Sequence, residues 1–440
     1  MRTRHFRLTL SLALVSIGAV VLAGCVAPSA EDDGATSDTS AASASTVSFW
    51  DATEVHEISV DVDPDVLAGL LDTYESTGEK EWIEVSVSID GEVYEGSGLK
   101  LKGNSSLRGI SSDDDPSTIP WVIRLDKFVD GQEHEGITEF VVRGNSSETS
   151  LNEAVALDLL DLTGLASEQA AATRFTIGGS TSLRLVIENP SDSWNESTVG
   201  ATALYKAESG GDYSYRGDDP DSYTDVFDQE AGEDDLTPLI DFLEFINESD
   251  DATFADELSE HLDVDAFATY LAFQDLVDNF DDIDGPGNNS YLAYDADTGL
   301  MTVVNWDLNL AFGASPNGGG AGGQVAGGGG GGALPGDGAM PDRDGEPAPE
   351  DGRGQGGPGG SNILATRFLA DDDLHALYES ELERLSEVFY GSGEAEEILR
   401  TWADTLIEQV TDLVDADTIT AEAEELSASF DTIADGQASS

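Results

Sequence analysis

Basic residues are scarce in this chain. Lysine and arginine together number 19, five of them lysines, against 89 aspartates and glutamates, and the formal net charge is −70. Proteins that bind the phosphate backbone of nucleic acids depend on clustered basic side chains for their affinity. The composition therefore argues against a nucleic-acid-binding protein.

The acidic residues are spread through the whole chain rather than collected in a tail. Salt weakens the repulsion among such charges, because the Debye length falls to ~3 Å at 1 M ionic strength. We therefore predict a protein that is adapted to a saline habitat.

Cysteine and histidine are also rare. The single cysteine excludes an internal disulfide, and the five histidines show no paired spacing typical of a zinc site. The sequence contains neither a GxSxG nucleophile elbow nor a GxxxxGK[ST] phosphate loop. Covalent catalysis and zinc chemistry are therefore not indicated.

One apolar run stands near the N-terminus, at Leu8–Val21, behind three arginines and ahead of Leu22-Ala23-Gly24-Cys25. This pattern predicts a secretory signal peptide over residues 1–24 that ends in a lipobox, with Cys25 acylated as the first mature residue. A signal peptide with an incidental cysteine is the alternative. A transmembrane helix is disfavoured because the run falls short of ~18 residues. We expect an extracytoplasmic protein, anchored to the cell membrane through lipid.

The remaining chain divides by composition. Residues 25–48 are rich in Ser, Thr, Ala, Asp and Gly, which predicts a flexible tether after the lipidated cysteine. Residues 49–313 and 362–435 carry the apolar patterns of a folded core. Residues 314–361 are dominated by glycine, which predicts a disordered surface insertion between these two parts.

The first part of the core is mostly strand-like over Val55–Phe128, with a hairpin turn at Asp90-Gly91. Three segments in it alternate apolar and polar residues, namely His56–Val62, Trp82–Ile89 and Val93–Leu101.

Later in the chain, apolar residues recur mostly at the intervals typical of helices. A strand at Phe140–Arg143 precedes a helix that begins near Ser150 and ends before Gly164. Leu236–Asp278 and Asn362–Ser427 carry further helical patterns. The sequence therefore predicts an α+β fold with a β-rich first part and a mostly helical second part.

Between the helical segments, the short runs Ser290–Tyr294 and Leu300–Trp306 flank a turn sequence and predict a β-hairpin. Oxygen-bearing side chains cluster at its entrance and exit: Asp281, Asp284, Asn288, Asn289, Asp307 and Asn309. Such a cluster suits Mg²⁺ and a polyphosphate. An EF-hand is excluded, because Gly285 at the sixth loop position would put Phe280 first and Tyr291 twelfth.

The scarce lysines add a second set of candidates. Lys100 and Lys102 are two apart at a strand end and so face the same way. They fit either a phosphate-binding turn or an ordinary solvated strand edge. Lys206 fits a strand lysine with a buried stem. Glu188, which ends an apolar run, is either a surface carboxylate or the partner of an interior lysine.

Jointly, these segments resemble the successive motifs of the spore-coat protein H (CotH) kinase family. In the family's order they are Lys102–Ser106, Ile123–Phe128, Leu204–Lys206, Asn279–Leu292 and Trp306–Gly313. The resemblance implies an atypical protein-kinase-like fold of two lobes, with Mg²⁺ and ATP bound between them. It also implies transfer of the γ-phosphate to serine or threonine of proteins at the cell surface.

The resemblance implies roles for the acidic and amide residues. Asp281 would be the catalytic aspartate, while Asp307 would bind Mg²⁺ with Asn289 as a second ligand. Asn309 stands where many members have a second aspartate, and its amide can still offer an oxygen. Asp284 rivals Asp281, because the interval from Asp284 to Asn289 is five, which matches the D-x-x-x-x-N spacing of ordinary kinases.

The resemblance also implies that Lys102 and Lys206 would contact the ATP phosphates, with Glu188 a candidate partner for one of them. A surface scaffold or adhesin that keeps this fold without catalysis is the main alternative. A polysaccharide hydrolase is a weaker alternative, because the sequence offers no convincing carboxylate pair for acid–base work.

Overall fold

The computed structural model describes residues 48–103, 105–107, 109–285, 288–314 and 362–437. The predicted signal peptide, Cys25, the tether up to residue 47 and the glycine-rich segment from residue 315 to 361 lie outside this range, so those assignments stay predictions. Within the range, no helix combines the length and apolar character that crossing a bilayer requires.

Strands in the described residues form two sheets. They are β1 (Val55–Asp61), β2 (Ile83–Ile89), β3 (Glu92–Leu101), β4 (Trp121–Arg124), β5 (Glu139–Val142), β6 (Ala170–Ile177), β7 (Ser180–Glu188), β8 (Ala203–Ala207), β9 (Phe227–Ala231), β10 (Ser290–Asp295) and β11 (Leu300–Asn305). The first seven close into a barrel in the order β1-β2-β3-β4-β5-β7-β6, and the last four form a sheet in the order β11-β10-β8-β9. Strand neighbours are antiparallel except for β1 and β6.

Alternation along the barrel strands separates an inner from an outer face. On β3, Leu99 and Leu101 are fully buried in the barrel core, so Lys100 between them points outward. On β5 and β7 the outer face is also apolar: Val141 and Ile187 join a second core shared with the four-stranded sheet. The barrel therefore packs against the sheet, and the outer face of β3 lies beside that junction.

Helices of the described part are α1 (Pro64–Thr77), α2 (Leu151–Asp161), α3 (Asp192–Trp194), α4 (Thr237–Glu248), α5 (Asp251–Glu257), α6 (Val264–Leu276), α7 (Ile363–Ala370), α8 (Asp372–Ser386), α9 (Glu394–Gln409) and α10 (Ala416–Gln437). One face of the four-stranded sheet shares its core with α2, α9 and α10, and the other with α4 and α7. Buried residues of α6 contribute to both cores. The predicted α+β class, with a β-rich first part and a mostly helical second part, is confirmed.

One part of the strand-rich prediction was wrong, because Pro64–Thr77 is a helix. The Asp63 side chain accepts a hydrogen bond from the Asp65 backbone, and Pro64 occupies the first helical turn. Both features favour helix initiation. Gly78 ends the helix in the left-handed conformation. The apolar side chains of this helix, Leu67, Leu70 and Leu71, pack into the barrel core.

Candidate active site

All five lysines of the chain lie in one region, where the outer face of β3 approaches β8. They are Lys80, Lys100, Lys102, Lys127 and Lys206. Repulsion from Lys206 and Lys100 acts on the ammonium groups of both Lys80 and Lys102, and Lys127 acts likewise on Lys100. Like charges disfavour one another, and the carboxylates of Glu139 and Glu230 oppose this repulsion at Lys100 and Lys102. The cluster of ammonium groups makes this region a candidate site for an anion.

Lys102 is the most perturbed of these lysines. Burial, followed by repulsion from Lys206, lowers its pKa from 10.5 to about 8. Its Nζ donates a hydrogen bond to Asn189 Oδ1 (2.9 Å) and lies 5.4 Å from the centre of the Trp306 ring. This ammonium group is therefore poorly solvated, and it is held beside the Trp-Asp motif.

Two neighbouring lysines are fixed by oxygen atoms. Lys80 Nζ donates to the backbone carbonyl of Gly103 (2.6 Å), directly after Lys102. Lys206 Nζ pairs with Glu208 Oε1 (2.5 Å). Glu230 on β9 also faces this group: its burial raises the pKa of its carboxyl, and the charges of Lys102 and Lys206 act against that shift.

Glu188 does not form the expected lysine pair among the described contacts. Its carboxylate accepts a hydrogen bond from the Gln169 backbone (2.9 Å), and burial raises its pKa. The next residue, Asn189, bonds Lys102 instead and also donates to Glu139 (2.8 Å). The structure therefore places Glu188 in a structural contact at the end of β7.

The predicted hairpin is confirmed and brings the two oxygen-rich ends together. Ser290 pairs with Asn305 at the open end of β10 and β11, so Asn289 and Trp306 follow on neighbouring strands. Asp307 comes next and adopts a left-handed backbone conformation (φ 62°, ψ 64°). This conformation is uncommon for a residue other than glycine, and it redirects the chain after β11.

Asp307 is bound by a buried guanidinium group. Arg143 Nη2 donates to Asp307 Oδ1 and to Glu153 Oε1 (2.8 Å), and Arg143 Nε donates to Glu153 Oε2 (3.0 Å). Burial acts to lower the pKa of Arg143, but the two carboxylates outweigh it and the net shift is upward. Arg143 therefore stays charged between a fully buried glutamate and a partly exposed aspartate.

The loop that holds Asp281 and Asp284 adjoins the turn after Asp307. Phe312 N donates to Val277 O (2.5 Å), and Gly313 N donates to Asp278 O (3.2 Å). The segment Leu308–Gly313 and the end of α6 are thus tied together. These bonds place the two aspartate-bearing segments side by side.

Asp281 and Asp284 have different surroundings. Asp284 Oδ1 accepts a hydrogen bond from the backbone of Asn362 (2.6 Å), which caps the start of α7. Asp281 is half-buried and packs against Gly285, where an added Cβ would lie 2.5 Å from Asp281 Cα. Only glycine fits at position 285 without displacing the backbone that carries Asp281. The Asp284 carboxylate is therefore in contact with the start of α7.

Unusual backbone conformations concentrate around these segments. Of the non-glycine residues with positive φ in the described chain, four lie here: Asp278, Asn288, Asp307 and Phe312. Such residues cost free energy and persist where the surrounding structure holds them, often at functional sites. The Asn288 side chain donates to Ser209 O (2.8 Å), which links this region to the segment after Lys206.

The donor set suits Mg²⁺ bound together with a phosphate ligand. The described residues contain no group of three or more His, Cys, Asp or Glu side chains suited to a metal. Mg²⁺ commonly uses only one or two carboxylates and takes its other ligands from water and phosphates. The Asp307 side chain is 28% exposed, Asn309 follows two residues later, and Asn289 precedes the neighbouring strand at the same end of the hairpin; both amides are half-buried. One carboxylate and two amides are the types of oxygen donor that Mg²⁺ takes in such a site.

The sequence analysis did not assign Arg143, Glu153 or Asn189 to this site. Arg143 and Glu153 were taken as parts of a strand and a helix, and Asn189 was not considered. Local pattern gives no sign that Arg143 meets Asp307 or that Asn189 meets Lys102, since these contacts span 164 and 87 residues. Glu153 joins the site only through Arg143. Lys80 was also missed, although the rarity of lysine could have pointed to it.

Comparison with solved structures and with curated proteins gives little information. A solved structure, the HipA–HipB toxin–antitoxin system of Shewanella oneidensis MR-1 with its operator DNA, matches at 10% identity and a TM-score of 0.29. The match covers 68% of this chain and 60% of that one, and likeness at this level supports no conclusion. No curated protein is significantly similar to the chain.

The family model described as CotH kinase protein matches residues 100–433, which is more than half of the chain. The match begins at Lys100 on β3, spans the hairpin and Asp307, and ends within α10. The resemblance drawn from the sequence motifs is thereby confirmed, and the chain belongs to the CotH kinase protein family.

Proposed function

We propose that this protein is an extracytoplasmic, lipid-anchored protein kinase. It uses Mg²⁺ and ATP to phosphorylate serine or threonine residues of proteins at the cell surface. Family membership supports the kinase class. The acceptor residues, the cofactors, the lipid anchor and the location are our proposals.

One observation carries the proposal. In a chain of net charge −70, every lysine converges on the region where β3, β8 and the Trp306-Asp307 motif meet. Like-charged, partly buried ammonium groups disfavour one another, and a bound anion would offset that repulsion. A nucleoside triphosphate that binds with Mg²⁺ beside Asp307 is an anion that these ammonium groups could contact.

Each residue would have a defined task. Lys102 and Lys206 would bind phosphate oxygens, with Asn189 fixing the Lys102 ammonium. Asp307 would hold Mg²⁺, with Asn289 and Asn309 as amide oxygen donors. When bound, Mg²⁺ and ATP supply the neutralising charge and the phosphoryl group. Positioning and charge neutralisation provide most of the catalysis in phosphoryl transfer.

Asp281 would orient the acceptor hydroxyl. In the transfer, the hydroxyl oxygen forms a bond to the γ-phosphorus while the bond from that phosphorus to the β–γ bridging oxygen breaks. The hydroxyl proton passes to the Asp281 carboxylate, and ADP leaves. We assign this role to Asp281 from its place in the family motif; Asp284, whose carboxylate accepts a hydrogen bond from the backbone of Asn362, is the rival candidate.

The test is phosphate incorporation from labelled ATP by the full chain with Mg²⁺. Asp281→Ala should lower the rate about 10²–10⁴-fold, the usual contribution of a positioned acid or base. Asp307→Ala should abolish Mg²⁺-dependent nucleotide binding. Asp130→Ala, at an exposed loop position, is the matched control and should change neither.

Two outcomes would contradict the proposal. If Asp281→Ala and Asp307→Ala incorporate phosphate like the unsubstituted chain, the assigned roles are wrong. If the folded protein binds no nucleotide and incorporates no phosphate, a surface scaffold that keeps the family fold is the better description.

A further inference from the structure

We propose that Arg143 is a positioning residue for Asp307: held by Glu153, it fixes one oxygen of the Asp307 carboxylate and presents the other to the cation that carries the nucleotide. This inference deepens the proposed function and rests on it. It assigns roles to Arg143 and Glu153, which lie outside the motifs that first pointed to the site.

The geometry defines the arrangement. Arg143 contacts both Glu153 oxygens through Nε and Nη2, at 3.0 and 2.8 Å, and its Nη2 also reaches Asp307 Oδ1. A planar guanidinium makes such a fork, whereas an ammonium group cannot. Among the described residues, Asp307 Oδ2 has no hydrogen-bond partner, and the side chain is 28% exposed. One oxygen is therefore tied and the other faces outward.

Glu153 resolves an electrostatic conflict. A lone guanidinium beside a metal-binding carboxylate would repel a divalent cation. Glu153 neutralises it from the buried side: the side chains of Glu153 and Arg143 are 3% and 9% exposed, whereas the Asp307 side chain is partly exposed. The Arg143–Glu153 pair has no net charge, so it constrains the Asp307 carboxylate and leaves that negative charge available.

The backbone at Asp307 explains why support is needed. The residue is held at φ 62°, and its side chain accepts no hydrogen bond from the backbone of the helical turn that follows. Only the side-chain contact to Arg143 then fixes the direction of the carboxylate within the described structure. Groups that orient a metal ligand in this way set the affinity of the metal.

The experiment compares ADP binding by calorimetry with saturating MgCl₂ and with EDTA, using the full chain. The double variant Arg143→Met/Glu153→Leu removes a buried pair of zero net charge and refills its volume, a change that proteins often tolerate. It should weaken ADP binding in MgCl₂ about ten-fold or more, as loss of a metal ligand's support does. Binding in EDTA should not change.

Arg143→Lys is the second variant, because it keeps the charge beside Glu153 and so protects folding. A single ammonium cannot span both carboxylates, so the same selective loss is expected. Thermal unfolding verifies that each variant is folded. A purely structural role would lower the melting temperature and weaken binding in MgCl₂ and EDTA alike.

The outcomes separate the two proposals. Folded variants that bind ADP in MgCl₂ as tightly as the unsubstituted chain, or that lose affinity equally in EDTA, overturn the role of Arg143 alone. If the unsubstituted chain itself gains no ADP affinity from MgCl₂, the proposed kinase function fails together with this inference.

Discussion

Lys102 carries its charge beside other ammonium groups and next to an indole ring. Burial and these neighbours disfavour the protonated form, so its pKa falls to about 8. A phosphate oxygen bound to the Lys102 ammonium would raise this pKa again. The titration of Lys102 is therefore a direct probe of anion binding at the candidate site.

We expect nucleotide affinity to change little between about pH 7 and 7.5 and to fall as Lys102 loses its proton above about pH 8. The fall should be at most about ten-fold per pH unit, the limit for one coupled proton. Lys102→Arg should remove this pH dependence, because a guanidinium stays protonated. Calorimetry of ADP binding between pH 7 and 10 measures it. An unchanged profile in Lys102→Arg would assign the titration to another group.

The same shift predicts the pH dependence of stability. The folded chain releases the Lys102 proton at about pH 8 and the unfolded chain at 10.5, so the unfolded state binds more protons between these values. The free energy of unfolding should therefore rise with pH across that window through this group. Lys80 and Lys100, whose pKa values burial also lowers, act with the same sign. Urea unfolding of the unsubstituted chain and Lys102→Arg isolates the Lys102 part.

The C-terminal helix α10 supports the candidate site. The backbone of Phe312 is bonded to the end of α6, and its ring packs on Phe430 of α10 with ring centres 5.2 Å apart. Tyr390 packs on the same Phe430 ring and donates to the carbonyl of Leu276. The C-terminal helix therefore supports both the 308–313 turn and the loop that carries Asp281.

Phe430→Ala should lower the free energy of unfolding by about 3–5 kcal/mol, the usual cost of truncating a buried phenylalanine. It should also weaken Mg²⁺-dependent ADP binding, because Phe312 loses its support. Phe254→Ala is the matched control: Phe254 is equally buried but belongs to the core on the other side of the sheet. Urea unfolding and calorimetry measure the two effects. Equal loss of ADP affinity in both variants would rule out a specific link to the site.

At this scale, pattern in the sequence predicted a good part of the fold. Alternation located β1 to β3, and turn chemistry located the hairpin of β10 and β11. Helix α1 was missed although Asp63, Pro64 and Gly78 signal its ends, because the strands around it dominated the interpretation. The contact of Arg143 with Asp307 could not be predicted, since it depends on how the barrel packs on the sheet.

The whole molecule places a small cationic site on a strongly anionic body. With 89 acidic and 19 basic residues, attractive pairs can involve only a minority of the carboxylates. The long-range field therefore opposes both the compact state and the approach of ATP. Salt shortens the range of that field, so both stability and nucleotide association should depend on ionic strength.

We expect the free energy of unfolding to rise as NaCl increases from about 0.01 to 1 M, while the Debye length falls from ~30 to ~3 Å. Screening also weakens attractive pairs such as Arg174–Asp412 at the surface, but repulsive pairs outnumber them. The buried Arg143–Glu153 pair is largely protected from screening by salt.

Urea unfolding over the NaCl series measures the effect on stability, with sucrose of matched osmolality as an uncharged control. Electrostatic screening predicts that most of the gain comes at low concentrations of NaCl and that sucrose does not reproduce this early rise. Equal stability in dilute buffer and in 1 M NaCl would show that the acidic surface does not limit folding, and the predicted saline adaptation would then be wrong.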